Sequence, residues 1–147
     1  MAQLVVPNLP FGPWRAWRNR DRPSVELDGV PSDFGCLGLY LLATSEVDDD
    51  KAAVQEKHLH PAVIYIGMST HVDRRLERDH TGVRAYRNEE VDRACQRLRY
   101  SVWRSEWTMY AGRGAPAVEL AALALYERAL LYDFARVHGR LPRLNHA

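Results

Sequence analysis

Tyr65-Ile66-Gly67 ends an apolar run, and Arg75 and His80 follow within fifteen positions. A guanidinium is a permanent positive charge shaped for bidentate contact with phosphate or carboxylate, and a histidine can accept or release a proton near neutral pH. A second tyrosine beside a glycine lies upstream in Gly38-Leu39-Tyr40. Further on, Glu127 interrupts the series Leu120, Leu123, Leu130, Phe134 and Val137, which advances by threes and fours along one helical face. An acid in such a seam must be protonated, paired with a base or bound to a metal, because burying it bare is expensive. An ion pair with one of the chain's many arginines weighs as much here as a metal. Near the N-terminus, Trp14, Trp17 and the arginines 15, 18, 20 and 22 interleave. Such a stretch could stack on bases and meet phosphates. The plainer reading, Trp packed on the domain surface with the Arg heads wet, is favoured.

The elements that must position these groups follow from local patterns. Residues 35–44 and 61–67 are apolar and rich in β-branched and aromatic residues, which predicts two strands. Ser69 or Thr70 can cap a helix through Val72, Arg75, Leu76 and His80. Asn88, with Glu89 and Glu90 after it and an apolar stripe at 91, 94, 95 and 98, predicts a second helix over 88–98. Residues 99–110 read as a third strand, bent near Ser105. Pro116 and Gly139 bound the longest helix. Between the first two strands, residues 45–60 are too many for a hairpin turn and predict an inserted surface loop. Its Asp48-Asp49-Asp50 lacks the spacing of a calcium loop and reads as a solvated charge run. The expected architecture is α+β: a small three-stranded antiparallel sheet flanked by helices over residues 35–147, preceded by a Pro-rich extension, 1–34, that packs on this core.

The chain's length suits one domain with a real core. A net charge of +1 argues against nonspecific electrostatic attraction to nucleic acid by the whole molecule. The charge is uneven, since residues 74–104 hold nine Arg against five acids. That surplus equally fits phosphate contact or a bias toward Arg. Neither a membrane-length apolar run nor a signal-peptide pattern is present, and Cys36 and Cys95 form no disulfide framework or metal spacing. A cytoplasmic, membrane-free protein is the expectation.

Taken in order, Gly38-Leu39-Tyr40, Tyr65-Ile66-Gly67, Arg75, His80, Glu127 and Pro142-Arg143-Leu144-Asn145 resemble the catalytic core of the GIY-YIG nuclease superfamily, over residues 35–145. Leu39 stands where that family usually has a branched residue, and the gap from Tyr40 to Tyr65 is longer than common. The resemblance implies hydrolysis of a DNA phosphodiester with one divalent cation, Mg2+ or Mn2+, held by Glu127. It implies that Arg75 meets the phosphate and that Asn145 holds the Glu127 region in place. Tyr40 is then the first choice of base, helped by Tyr65 or His80, because a phenol needs a nearby cation or second base to ionise near neutral pH. His71 is the alternative base, and His71, Arg74 and Arg78 are candidate substrate contacts. DNA is the expected partner; cutting both strands would need two turnovers or a homodimer. Two readings compete: a module that binds nucleic acid or protein without hydrolysis, and a scaffold turned to small-molecule chemistry.

Overall fold

The computed structural model describes residues 4–19, 35–47, 56–70, 72, 80–109 and 117–146. Strands β1 (Arg15–Ala16), β2 (Gly35–Ala43), β3 (Val63–Ser69) and β4 (Arg99–Met109) form one antiparallel sheet in the order β1-β4-β2-β3. Two α-helices, α1 (Thr81–Asn88) and α2 (Ala117–His138), and three short 3-10 turns, Trp17–Asn19, Ser45–Val47 and Lys57–Leu59, accompany the sheet. The class is α+β with four strands, one more than the sequence predicts. The extra strand is two residues long: Arg15 pairs with Tyr100 and Ala16 with Arg99. Two residues carry no readable period, so only the pairing reveals them.

Strand β2 is central and sorts its side chains by alternation. Leu37, Leu39, Leu41 and Ala43 face α2, packing with its Leu123, Leu130 and Phe134. Tyr40 and Leu42 join the opposite cluster, with Val83 and Tyr86 of α1, Tyr100 and Val102 of β4, and Trp17. Both faces are therefore covered, which explains the unbroken apolar run. The bend expected near Ser105 corresponds to a register shift, where Gly38 pairs with Arg104 but Cys36 pairs with Thr108.

Two sequence expectations are corrected. Residues 89–98 are turns, and Asn88 ends α1 instead of capping a later helix. Glu90 and Cys95 have φ of 61° and 54°, left-handed values that helices do not contain. Asp92 explains the turn: its carboxylate accepts from the N–H groups of Gln96 (2.9 Å) and Arg97 (2.8 Å), competing with the helical ladder. The aromatic stretch near the N-terminus is corrected too. Trp17 is wholly buried and belongs to the core, although Arg18 is exposed as expected. Residues 20–34 and the acidic run 48–50 lie outside the described residues.

The 45–60 segment is not all surface loop. Lys57 and His58 are buried in a 3-10 turn over Lys57–Leu59. His58 Nε2 lies 2.8 Å from Asp133 Oδ2, and Arg136 Nη2 donates to Asp133 Oδ1 at 2.7 Å. Burial opposes the charge on Asp133, but its bonds with Arg136 and His58 outweigh that and hold its carboxyl below the usual range. A depressed carboxylate stabilises the fold above its unfolded pKa, and that contribution is lost as pH falls through the folded value. Asp133→Asn is therefore expected to cost about 3 kcal/mol at neutral pH, as breaking a buried pair does. It should also flatten the acid limb of stability against pH in urea titrations. No helix among the described residues is long and apolar enough to cross a membrane.

Candidate functional site

On the α1 side of the sheet, Tyr40, Tyr65 and His80 form one aromatic cluster. Tyr40 on β2 pairs across the strands with Gly67 of β3, and its neighbour Leu42 pairs with Tyr65, so both tyrosines lie on one face. Their rings stack with centroids 5.9 Å apart at 28°. The His80 ring meets Tyr40 edge-on at 4.8 Å and Tyr65 at 6.0 Å. Tyr40 and His80 are almost wholly buried, while Tyr65 is partly open.

Two glycines make this packing sterically feasible. A Cβ on Gly67 would stand 2.5 Å from the Tyr40 hydroxyl and 2.7 Å from Tyr65 Cε1. A Cβ on Gly82 would stand 2.9 Å from Tyr65 Cδ1 and 3.1 Å from His80 Cε1. Both are closer than carbon atoms tolerate, so each glycine is the gap into which a ring fits.

His80 is not inside a helix, as the sequence suggests, but is the N-cap of α1, with φ −97° and ψ −179°. Its Nδ1 accepts the Gly82 N–H at 3.2 Å. A backbone N–H can only donate, so Nδ1 carries no proton. The Tyr40 hydroxyl, 3.5 Å from the same nitrogen, is then the donor in that contact. A basic nitrogen facing a phenol is an arrangement that can draw off the phenolic proton.

Glu127 lies on the helix that covers the other side of the sheet. Helix α2 packs on β3, the edge strand, and the Glu127 carboxylate accepts the Met68 N–H. Met68 follows Gly67, so one peptide unit separates that hydrogen bond from the glycine beneath which the Tyr40 hydroxyl lies. Glu127 is half-buried. Desolvation pushes its pKa up, and neither the nearby Arg128 charge nor the Met68 bond offsets this. Its seam is shorter than the spacing suggests: Leu123, Leu130 and Phe134 are buried, but Leu120 and Val137 are 36% and 49% exposed.

No family model, curated protein or solved structure matches this chain.

Asn145 closes the same edge of β3 through Ile66. Its Oδ1 accepts the Ile66 N–H and its Nδ2 donates to the Ile66 carbonyl, both at 2.9 Å. The next residue up, Leu144, donates its N–H to Ile64 O at 3.0 Å. The outward backbone groups of Ile64, Ile66 and Met68 are thus taken in turn by Leu144, Asn145 and Glu127, which pins the edge strand. Asn145→Ala is expected to cost about 1–3 kcal/mol, because two backbone groups lose their partners. Amide exchange at Ile66 should accelerate more than elsewhere in β3, which hydrogen-exchange NMR would read.

Arg75, Arg74, Arg78 and His71 lie outside the described residues. Val72, within that stretch, is helical and fully buried against the Tyr40 cluster. Among the described residues no three His, Cys, Asp or Glu side chains converge as a metal cluster. A lone half-buried carboxylate nevertheless suits a hard cation such as Mg2+, which binds through one or two carboxylates and keeps several waters. Glu127 fits that role because no cation pairs with it among the described residues.

Sequence reasoning missed Gly82 and Asp133, and read Trp17 as packing on the domain surface, not against His80. Gly82 carries no local signal. Asp133 did: it lies between Tyr132 and Phe134 in an apolar stretch, the same anomaly that marks Glu127. The two acids differ in outcome: Asp133 is bonded to Arg136 and His58, whereas Glu127 forms no ion pair among the described residues.

Proposed function

We propose that this protein is a metal-dependent endonuclease of the GIY-YIG type that hydrolyses DNA phosphodiester bonds. The observation that carries the reading is the mutual contact of the Tyr40, Tyr65 and His80 rings, the two tyrosines packed on Gly67, whose neighbour Met68 bonds the half-buried carboxylate of Glu127. Glu127 would hold one Mg2+ or Mn2+, which when bound would supply Lewis-acid stabilisation of charge on the phosphate. Tyr40 passes its proton toward His80 Nδ1 and takes one from the attacking water. Tyr65, the partly open member of the cluster, is the group a phosphate would meet first. Arg75 would stabilise the negative charge that develops on the phosphoryl oxygens.

Purified protein incubated with plasmid and Mg2+ tests this reading. Nicked or linear product is expected with the native chain and with neither Arg75→Ala nor Glu127→Ala. Cleavage that persists undiminished in both variants would overturn the assignment. Salt-dependent DNA binding without cleavage under any divalent metal would point instead to a binding module on the same scaffold.

A further inference from the structure

Beside α2, the buried His58–Asp133 pair borders a cavity that the nuclease reading leaves unused. The cavity holds about 470 Å³, the size of a small-ligand site. Val6 and Leu9, packed against the α2-side core, supply apolar wall, and Asn8, Glu56, Tyr132 and Arg136 supply polar groups.

His58 is 4% exposed, yet its ring is bonded at one nitrogen only among the described residues: Nε2, 2.8 Å from Asp133 Oδ2. Burial opposes the charge on Asp133, but its bonds with Arg136 and His58 keep the carboxyl ionised, so it can only accept. The proton of the pair therefore sits on Nε2, and Nδ1 is left with a lone pair. A partner that fixes one nitrogen of a histidine makes the other the working atom. Arg136 spends Nε and Nη2 on Asp133 Oδ1, at 3.2 and 2.7 Å, while its Nη1 makes no bond among the described residues. Its side chain lines the cavity and is 58% exposed, which leaves Nη1 available to a ligand.

The cavity thus offers a guanidinium donor together with an imidazole acceptor. A carboxylate or a phosphodiester satisfies the first and repels the second, because near neutral pH its oxygens carry lone pairs and no proton. A metal ion would suit Nδ1 but not the guanidinium, and among the described residues no three ligating side chains gather. A phosphate monoester suits both. Its second pKa is about 6, so one oxygen can share a proton with Nδ1 while another accepts from Arg136. We infer that this cavity binds an organic phosphate monoester, its phosphate held by His58 and Arg136 and its organic part against Val6 and Leu9. The carboxylate of Glu56 lies near enough to act on Arg136, and its charge opposes a dianion. No residue of the Tyr40 cluster takes part, so the site stands or falls apart from the nuclease reading.

Calorimetric titration of the metal-free protein with phenyl phosphate tests the site, with methyl phenyl phosphate as the diester and inorganic phosphate as the ligand lacking an organic part. Phenyl phosphate should bind about tenfold or more tightly than either. His58→Gln keeps a donor for Asp133 but has no second ring nitrogen, and should weaken phenyl phosphate about tenfold or more. Arg136→Gln should do the same, the scale of one lost charge-assisted hydrogen bond. Glu56→Gln should tighten binding about threefold by removing a like charge. In 15N-correlated NMR spectra of the native chain, the His58 Nδ1 resonance should move from its unprotonated to its protonated position with phenyl phosphate and stay in place with methyl phenyl phosphate.

Absence of phenyl phosphate binding would overturn the inference, as would equal affinity for monoester and diester or native affinity in His58→Gln. Inorganic phosphate bound as tightly as phenyl phosphate would overturn the organic part of the assignment. An unmoved Nδ1 resonance at saturating phenyl phosphate would overturn the role of His58, and this measurement on the native chain decides the matter if His58→Gln fails to fold.

Discussion

Glu127→Gln is expected to abolish Mg2+-dependent cleavage while raising the melting temperature of the metal-free protein at neutral pH. The loss of activity should reach about a thousandfold or more, since a bound cation supplies several kcal/mol of transition-state stabilisation. The gain in stability follows from the direction of the pKa shift. Desolvation raises the Glu127 pKa in the folded chain, so the folded state holds this proton longer than the unfolded one. The contribution of Glu127 to the stability of the metal-free protein is then fullest below the ordinary carboxylate range and is lost as pH rises through the raised value. Glutamine cannot ionise, yet its amide oxygen can still accept the Met68 N–H. A rise of about one to three degrees is the expected scale for a chain of this size. Calorimetry with and without Mg2+ across pH separates the parts. The native protein should be stabilised by Mg2+ only above the raised pKa, where the carboxylate is free to bind, and Glu127→Gln at no pH. Equal stabilisation of both proteins by Mg2+ would remove Glu127 as the ligand.

Tyr40→Phe should lower kcat by about 10²–10⁴ with DNA affinity unchanged, the range of a lost proton-transfer group. The ring stays in its slot between Tyr65 and His80, so folding should be unaffected and only the hydroxyl facing His80 Nδ1 is removed. Gly67→Ala attacks the same group through sterics. Its methyl would stand 2.5 Å from the Tyr40 hydroxyl, so the ring or the strand must move, at about 1–3 kcal/mol of stability. The same substitution made in Tyr40→Leu should cost less, because the colliding atoms are gone, and a double-mutant cycle would measure that coupling. Additive costs would mean that Gly67 serves the strand and not the tyrosine. Full activity in Tyr40→Phe would shift the role of base to Tyr65 or His71.

The long strands and the long helix were readable because many residues repeat one period. The apolar run at 35–44 corresponds to Gly35–Ala43, the stretch 99–110 to Arg99–Met109, and the Pro-to-Gly interval to Ala117–His138. Failures occurred where a single side chain overrode a pattern. The stripe at 91, 94, 95 and 98 satisfies helical spacing, yet Asp92 spends its carboxylate on two amides and turns the chain. Arg15–Ala16 lies among prolines, where nothing local announces a strand, and Trp17 reads as surface packing although it is wholly buried.

The candidate site divides along the same line. Tyr40, Tyr65, Gly67, His80, Glu127 and Asn145 could be picked out from order and residue type, because an acid in an apolar seam and a Tyr beside a Gly are anomalies visible in one dimension. Their roles toward one another were not visible. Which nitrogen of His80 faces Tyr40, that Asn145 binds Ile66, and that Trp17 lies against the histidine ring all depend on contacts across 40 to 80 positions of sequence. Periodicity encodes which face of an element is apolar. Only strand register and packing bring distant side chains within the few ångströms over which a proton, a ring or a carboxylate can act.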